Sequence, residues 1–440
     1  MQISPVQYPK DHSSRTVRDL VFNASGDVLV LGDTRRSSEF SPWALERLAR
    51  VLAERSAGLV FSDASGSPRI DYQKGSIRDD FDLGPLVAVS VPRARSVLER
   101  AGAAGPELRW GGVYDLRLRL SEAYPIVRVP EPLSEAGESD PRASGERQFD
   151  YVDPRQREYQ VEMEAIATDH LRRIGAYLPA RTRRADPPAS GFPVAASVVI
   201  PVRNRESTIR DAIGSALSQE ADFQFNVIVV DNHSTDGTGG AIGSFPDPRV
   251  IRIVPKETCL GIGGCWNQAV LSGACGRVAV QLDSDDLYAD SHVLANLVRQ
   301  MTDNRFAMLV ASYTTVDFGL KETAPGLVDH REWTRENGHN NVLRINGFGA
   351  PRAFDVGVVR RFGFPNVSYG EDYAVGLRIS REYEIGRVFD PVYLCRRWEG
   401  NSDSRLPPET VNRYNAYKDW LRTGEIEARI AMNSREAASP

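Results

Sequence analysis

The chain has 440 residues, 41% hydrophobic and 26% charged, with 54 Lys and Arg against 59 Asp and Glu for a formal charge of −5. That length exceeds what one hydrophobic core usually organises and points to two domains, while the ordinary composition excludes collagen-like, disordered and disulfide-stapled classes. The slightly acidic balance argues against a surface built for nucleic acid, so any basic site must be local.

No apolar run approaches the ~20 residues needed to span a bilayer; the longest, around Val194 to Val202, is interrupted by Ser197 and Pro201. The start, MQISPVQYPKDHSS, lacks the basic end and apolar stretch of a secretory signal, so the expected location is the cytoplasm. Cys259, Cys265, Cys275 and Cys395 form no CxxC pair and read as free thiols.

In the first half, the apolar run in VLVLGDTRR (Val28 to Arg36) precedes an amphipathic helical stretch and a second strand-like run, GLVFSDAS, and another helix and strand follow Trp110. From Glu135 to Gly191 the chain is rich in Pro, Gly, Ser and charge around a helical patch near Arg155 to Tyr177, which predicts an interdomain linker. Its Arg172, Arg173, Arg181, Arg183 and Arg184 read either as a solvated face or as a contact for anionic lipid or a phosphorylated acceptor.

Next, ASVVI (Ala196 to Ile200) is a β-branched apolar run suited to a strand buried on both faces. Ile209, Ala212, Ile213, Ala216 and Leu217 mark one face of a helix, and Val227 to Val230 reads as the next strand, completing a βαβ unit. The alternation continues with a Gly-rich helix near Ile262 to Ala274, a strand Val278 to Leu282, a helix Ser291 to Met301 and a strand Phe306 to Ala311. The expected domains are 1–135, a linker with helix 136–192, an α/β domain 193–405 and a helical tail 406–440. In the tail, Val411, Tyr414, Tyr417 and Leu421 lie roughly on one face, with Trp420 beside it, and this face is expected to dock on the core or on a membrane.

In open parallel sheets ligands bind beyond the carboxyl ends of the strands. Three polar segments sit there: PVRN (Pro201 to Asn204), DNHSTDGT (Asp231 to Thr238) and DSDD (Asp283 to Asp286). Carboxylates two apart at a strand end can converge on one hard divalent cation, Mg²⁺ or Mn²⁺, whose remaining ligands are diphosphate oxygens. Without it, two carboxylates about 4 Å apart repel by roughly 4 kcal/mol at an effective dielectric near 20. Further on, GED (Gly370 to Asp372) reads either as a helix N-terminus carrying acids or as a general base facing that cation.

The region from about Ala195 to Ser404 resembles a family 2 glycosyltransferase of the GT-A fold, over nearly half the chain and with four motifs in order. PVRN is similar to the family's P-V-Y-N turn, with Arg203 in place of Tyr. VVDNHSTDGT is similar to V-V-D-D-G-S-T-D-G-T, with Asn232 in place of an Asp whose acceptor role an amide oxygen can take. GIGGCWNQA is similar to the G-x-x-x-A-R-N-x-G segment, with Trp266 for Arg; DSDD matches the DxD motif and GED the catalytic acids. The resemblance implies nucleotide-sugar contacts from Pro201, Val202, Asn204, Glu206, Asp231, Asn232, Asp236, Asn267, Asp283 and Ser284, a metal on Asp285 with Asp283, and Asp372, with Glu371, in an inverting single displacement. It further implies an acceptor on a glycan, glycolipid or other glycoconjugate. RRWEGN (Arg396 to Asn401) resembles the terminal motif of polymerising members, but Leu394 stands where they have Gln, so single additions are expected.

The first half resembles a partial second copy of the same unit. VLVLGDTRR aligns with VAVQLDSDD, and WGGVYDLRLRL from Trp110 with YGEDYAVGLRI from Tyr369. Arg35 and Arg36 stand at the positions of Asp285 and Asp286, and Gly112 and Val113 at those of Glu371 and Asp372, so the chemistry is erased. The copy's expected role is structural or dimerising, acceptor-docking, or regulatory through a phosphate held by Arg35 and Arg36. The rival reading of the whole chain is an inactive nucleotide- or glycan-binding scaffold. Nucleotidylyltransferases and dinucleotide-binding dehydrogenases are excluded because PVRNRES offers no glycine-rich phosphate loop.

Overall fold

The computed structural model describes residues 2–7, 11–32, 40–101, 107–135, 156–187, 191–401 and 406–438. The first unit runs β1 (Ile3–Gln7), α1 (Ser14–Asn23), β2 (Val28–Gly32), α2 (Pro42–Glu54), β3 (Leu59–Ala64), β4 (Leu86–Ser90), α3 (Val91–Ala101), α4 (Gly112–Ala123) and β5 (Ile126–Ser134). Its strands form one sheet in the order β1-β2-β4-β3-β5. Alternation along β2 divides the packing: Leu29 and Leu31 face α1 and α3, while Val28 and Val30 face α2, so both sheet faces are covered.

After α5 (Arg157–Arg173), the second unit runs β6 (Ala196–Val202), α6 (Ile209–Leu217), β7 (Phe225–Asp231), α7 (Thr238–Gly243), β8 (Val250–Ile253), α8 (Ile262–Leu271), β9 (Val278–Gln281), β10 (Leu287–Tyr288), α9 (Val293–Asn304) and β11 (Met308–Val316). It continues with β12 (Glu322–Val328), α10 (Gly338–Asn341), β13 (Arg352–Asp355), α11 (Val356–Phe362), α12 (Glu371–Glu382) and β14 (Ile385–Arg396), and α13 (Pro408–Ala438) closes the chain. The main sheet order is β10-β14-β11-β13-β9-β6-β7-β8, with β12 paired to β11. β6, β7 and β9 are parallel, so the three polar tips lie at one edge of the sheet.

The two sheets share a topology. β1-β2-β4-β3-β5 and β6-β9-β13-β11-β14 are joined by the same succession of parallel, antiparallel, antiparallel and parallel pairings. Among the described residues the first unit has no counterpart of β7 and β8, nor of the second polar tip. This agrees with the repeat read from sequence; Asp33, Arg35 and Arg36, on which its erased metal motif rests, lie outside the described residues.

Two segments differ from their sequence reading. The helix within the expected linker is a packed layer: Met163, Ile166, Ala167 and Leu171 share one apolar core with Tyr114 and Leu118 of α4 and Tyr373 and Leu377 of α12. Much of the basic cluster is engaged within the protein, with Arg173 paired to Glu122, Arg183 to Glu382 and Arg184 to Glu384, while Arg172 lies over Tyr177. In α13 the buried face is Lys418, Asp419, Arg422, Glu425, Ile426 and Arg429, whereas Val411 and Trp420 are exposed. Leu421 and Ile430 pack on the same core and Tyr414 stacks on Tyr369, so the expected face does dock in part, and beside it α13 buries charged side chains that pair with Arg78 and Arg381. Among the described residues no helix is long and apolar enough to cross a membrane.

Candidate active site

The tips of β6 and β7 are sewn together by short polar side chains. Asn204, in the left-handed region at φ 53°, accepts from Thr235 N through Oδ1 at 2.8 Å and donates its own N–H to Ser234 Oγ at 3.0 Å. Glu206 accepts from Gly237 N at 3.1 Å and donates its backbone N–H to Asp236, which in turn caps Thr238 N at 3.0 Å. Asn204, Glu206 and Asp236 thus shape the rim around Pro201 and Val202.

At the end of β7, Asp231 is buried beside Arg252, whose Nε donates to it over 3.2 Å. Burial alone would raise this carboxyl, but hydrogen bonds from Ser234 and the Arg252 guanidinium hold it below its ordinary value. Asn232 donates Nδ2 to Leu260 O at 2.8 Å, while its buried Oδ1 has no partner among the described residues. An unpaired buried acceptor is costly unless a ligand supplies the donor.

Beyond β9, Gln281 Nε2 donates to both oxygens of Asp283 at 2.9 and 3.1 Å, and Asp283 N donates to the Tyr393 hydroxyl at 2.9 Å. Asp285 Oδ2 accepts from Trp398 Nε1 at 3.0 Å and Asn401 Nδ2 at 3.2 Å, with Arg205 Nε 3.9 Å away. Asp286 is turned inward, accepting from Arg396 N at 2.8 Å, and Ser284 is buried within the same turn. Burial raises the carboxyls of Asp283 and Asp286 above the usual range, and the neighbouring aspartates push the same way.

Glu371 and Asp372 open α12 after Gly370, which adopts φ 86°. Asp372 Oδ2 is bonded by Arg352 of β13, and its charge contributes to the raised carboxyl of Asp283, so the acid pair and the DSDD tip share one electrostatic neighbourhood. Glu371 is buried with Oε2 unpaired; burial first and Asp372 second push its carboxyl up to about 8. Gly263 of α8 is required here, since a Cβ on it would lie 1.9 Å from Pro365 O and 2.8 Å from Glu371 Cβ.

One residue expected at the donor is elsewhere: Asn267 clamps the backbone of Phe364, donating to its carbonyl at 2.8 Å and accepting from its N–H at 2.9 Å, so its amide is used within the fold. Conversely, Arg205, Arg252, Arg352 and Lys418 join the site without having been singled out. Arg205 lies one residue beyond PVRN and was within reach of the motif; the others have no local pattern. In the first unit, where Gly112 opens α4, Glu162 of α5 accepts from the backbone N–H groups of Arg109, Trp110 and Gly111 at 2.8, 2.8 and 2.7 Å. The place corresponding to the acid pair is thus closed by a carboxylate from the preceding layer.

Among the described residues no three His, Cys, Asp or Glu side chains cluster to hold a metal unaided. Two buried carboxylates two residues apart at one strand tip, Asp283 and Asp285, do fit a divalent cation that would complete its shell with diphosphate and water.

Residues 197–359 match the family described as "Glycosyl transferase family 2". The succinoglycan biosynthesis protein ExoO of Rhizobium meliloti is 40% identical over 101 residues, 23% of this chain. The Escherichia coli UDP-Glc:alpha-D-GlcNAc-diphosphoundecaprenol beta-1,3-glucosyltransferase WfaP is 28% identical over 190 residues, 42% of this chain. The chain spans 28% of the length of the first relative and 69% of the second. Among solved structures, S. aureus TarS 1-349 in complex with UDP-GlcNAc aligns at a TM-score of 0.42 with 19% identity, covering 53% of this chain and 72% of that one.

Proposed function

We propose, from the match of residues 197–359 to glycosyltransferase family 2, that the chain transfers a sugar from a nucleotide diphosphate donor to a hydroxyl of a glycan, glycolipid or other glycoconjugate, with inversion and one addition per encounter. The observation that supports this reading is the placing of Asp283 and Asp285 at the carboxyl end of β9, beside the parallel strands β6 and β7, with Asp372 at the start of α12 within electrostatic reach of Asp283.

The base of the donor is received beside Asn232, whose unpaired Oδ1 accepts a ring N–H, and Asp231 stays ionised on Arg252 behind it. Asp285, with Asp283, holds Mn²⁺ or Mg²⁺, which supplies neutralisation of the leaving diphosphate. Arg205, beside Asp285, faces the same charge. With Oδ2 committed to Arg352, Asp372 takes the acceptor's hydroxyl proton on Oδ1 as the acceptor's own oxygen bonds to the anomeric carbon and the bond to diphosphate breaks on the opposite face.

The test is a thermal-shift and turnover screen of UDP, dTDP and GDP sugars with and without Mn²⁺. A donor at about a hundred times its Kd stabilises by about 2.7 kcal/mol. No stabilisation and no sugar release with any of them would overturn the assignment.

A further inference from the structure

The tail helix touches both units through adjacent residues. On one side, Asp419 is fully buried and accepts from Ser76 Oγ at 2.9 Å and Arg78 Nε at 3.2 Å, both from the loop between β3 and β4 of the first unit. The same loop donates Gly75 N to Thr423 Oγ1 at 2.9 Å and Gln73 Nε2 to Ala416 O at 3.0 Å. A Cβ at Gly75 would stand 2.1 Å from Asp419 O, so loop and helix are in backbone contact.

On the other side, Lys418 is buried, donates to Asn346 O, and sets its ammonium 4.2 Å over the Tyr369 ring and 5.5 Å over that of Tyr373. These rings flank Gly370, Glu371 and Asp372. Burial pulls the Lys418 ammonium down to about 8, while Asp372 and Glu371 favour its charged form. The charged and titratable groups around the pair are Arg352 from β13, Lys418 and Arg422 from α13, Tyr417, and Asp283. With Arg352 bonded to Asp372 and Arg422 bonded to Asp419 at 2.7 Å, Lys418 is the cation that α13 itself brings to the acids.

We propose that Lys418 is a positioning residue for the Glu371–Asp372 pair, and that the first unit serves the reaction by clamping α13 so that this ammonium stays in place. Lys418 packs against Gly370, its Cε 3.5 Å from where a Cβ would stand, so the ammonium sits at the turn that opens α12 with both acids; a cation held there favours the ionised form of the base, and its removal favours the protonated one. The role rests on the reading of Asp372 as the base. It also gives the degenerate copy a task that needs no catalytic residues of its own: a rigid loop that fixes a helix belonging to the other unit.

The experiment compares the full-length wild type with Lys418→Met, Lys418→Arg and Arg78→Ala, measuring donor affinity by calorimetry and kcat against pH. Lys418→Met is expected to keep donor affinity within about twofold, lose about tenfold in kcat at neutral pH, and move the acid limb of the kcat profile up by about one pH unit. Lys418→Arg is expected to return that limb toward wild type. Arg78→Ala, far from the donor, is expected to shift kcat and limb in the same direction by less. An active wild type whose Lys418→Met variant keeps both kcat and limb overturns the role of Lys418, and an unaltered Arg78→Ala overturns the clamp. A wild type that transfers no sugar overturns the assigned function and this role with it.

Discussion

The indole Nε1 of Trp398 donates to Asp285 Oδ2 over 3.0 Å, binding the segment after β14 to the strand tip after β9. Asn401 donates to the same oxygen, so two side chains far along the chain set the rotamer of one aspartate. Replacing Trp398 by Phe removes one donor and keeps the ring that packs edge-on against Phe318. A lost hydrogen bond to a charged group costs about 1.5–3 kcal/mol, so the apparent Mn²⁺ affinity of the donor complex is expected to fall by about tenfold or more. A metal titration of donor binding unchanged in Trp398→Phe would contradict this.

Asp372→Asn keeps the size of the side chain and its contact with Arg352 but cannot take a proton. Turnover is expected to fall at least about a hundredfold with donor affinity retained. Steady-state rates beside calorimetric donor binding decide it; a variant that turns over normally means that another group is the base.

Asn232→Leu removes the unpaired Oδ1 and leaves the Leu260 carbonyl without its donor. Donor affinity is expected to weaken by about tenfold, with little change in kcat at saturation, because one buried hydrogen bond is worth about 1–1.5 kcal/mol. Equal affinity of wild type and variant for every nucleotide tried would remove Asn232 from the base site.

Glu371 carries a sign that can be worked out. Its ordinary value is 4.5, and in the folded chain burial and Asp372 push it to about 8. Below pH 4.5 the group is protonated in both states and its contribution is fully present. Between there and about pH 8 the unfolded chain ionises while the folded one does not, so stability is lost as pH rises. Glu371→Gln abolishes that slope: relative to wild type, its melting temperature is expected to be higher at pH 8 than at pH 5. Parallel melting curves at the two pH values would show that Glu371 ionises freely in the fold.

Asp419→Ala leaves the buried Arg422 guanidinium without its carboxylate and Arg78 with Asp80 alone. Removing one partner of a buried ion pair typically costs 3–5 kcal/mol, so the denaturant midpoint is expected to drop by that equivalent. A shift under about 1 kcal/mol, as for an exposed pair, would mean that the network is solvated.

Much of the second unit was legible in the sequence because its signals are local. Fully buried parallel strands are written as continuous β-branched runs such as ASVVI, and residues following such a run fall at the sheet's ligand-binding edge, which is why the segments holding Asp231, Asn232, Asp283 and Asp285 stood out, while their separate roles came from the family resemblance. The repeat was visible for the same reason, since two copies of a strand pattern need no contact to be recognised. Tertiary structure alone decided what a lone side chain meets. It turned Asn267 onto the Phe364 backbone, closed the first unit's α4 with Glu162, and buried a charged face of α13 beside its apolar one. An ion pair depends on a partner tens to hundreds of residues away, and periodicity along the chain carries no information about that partner; so Lys418, Arg352 and the clamp at Asp419 appear only when the chain is folded.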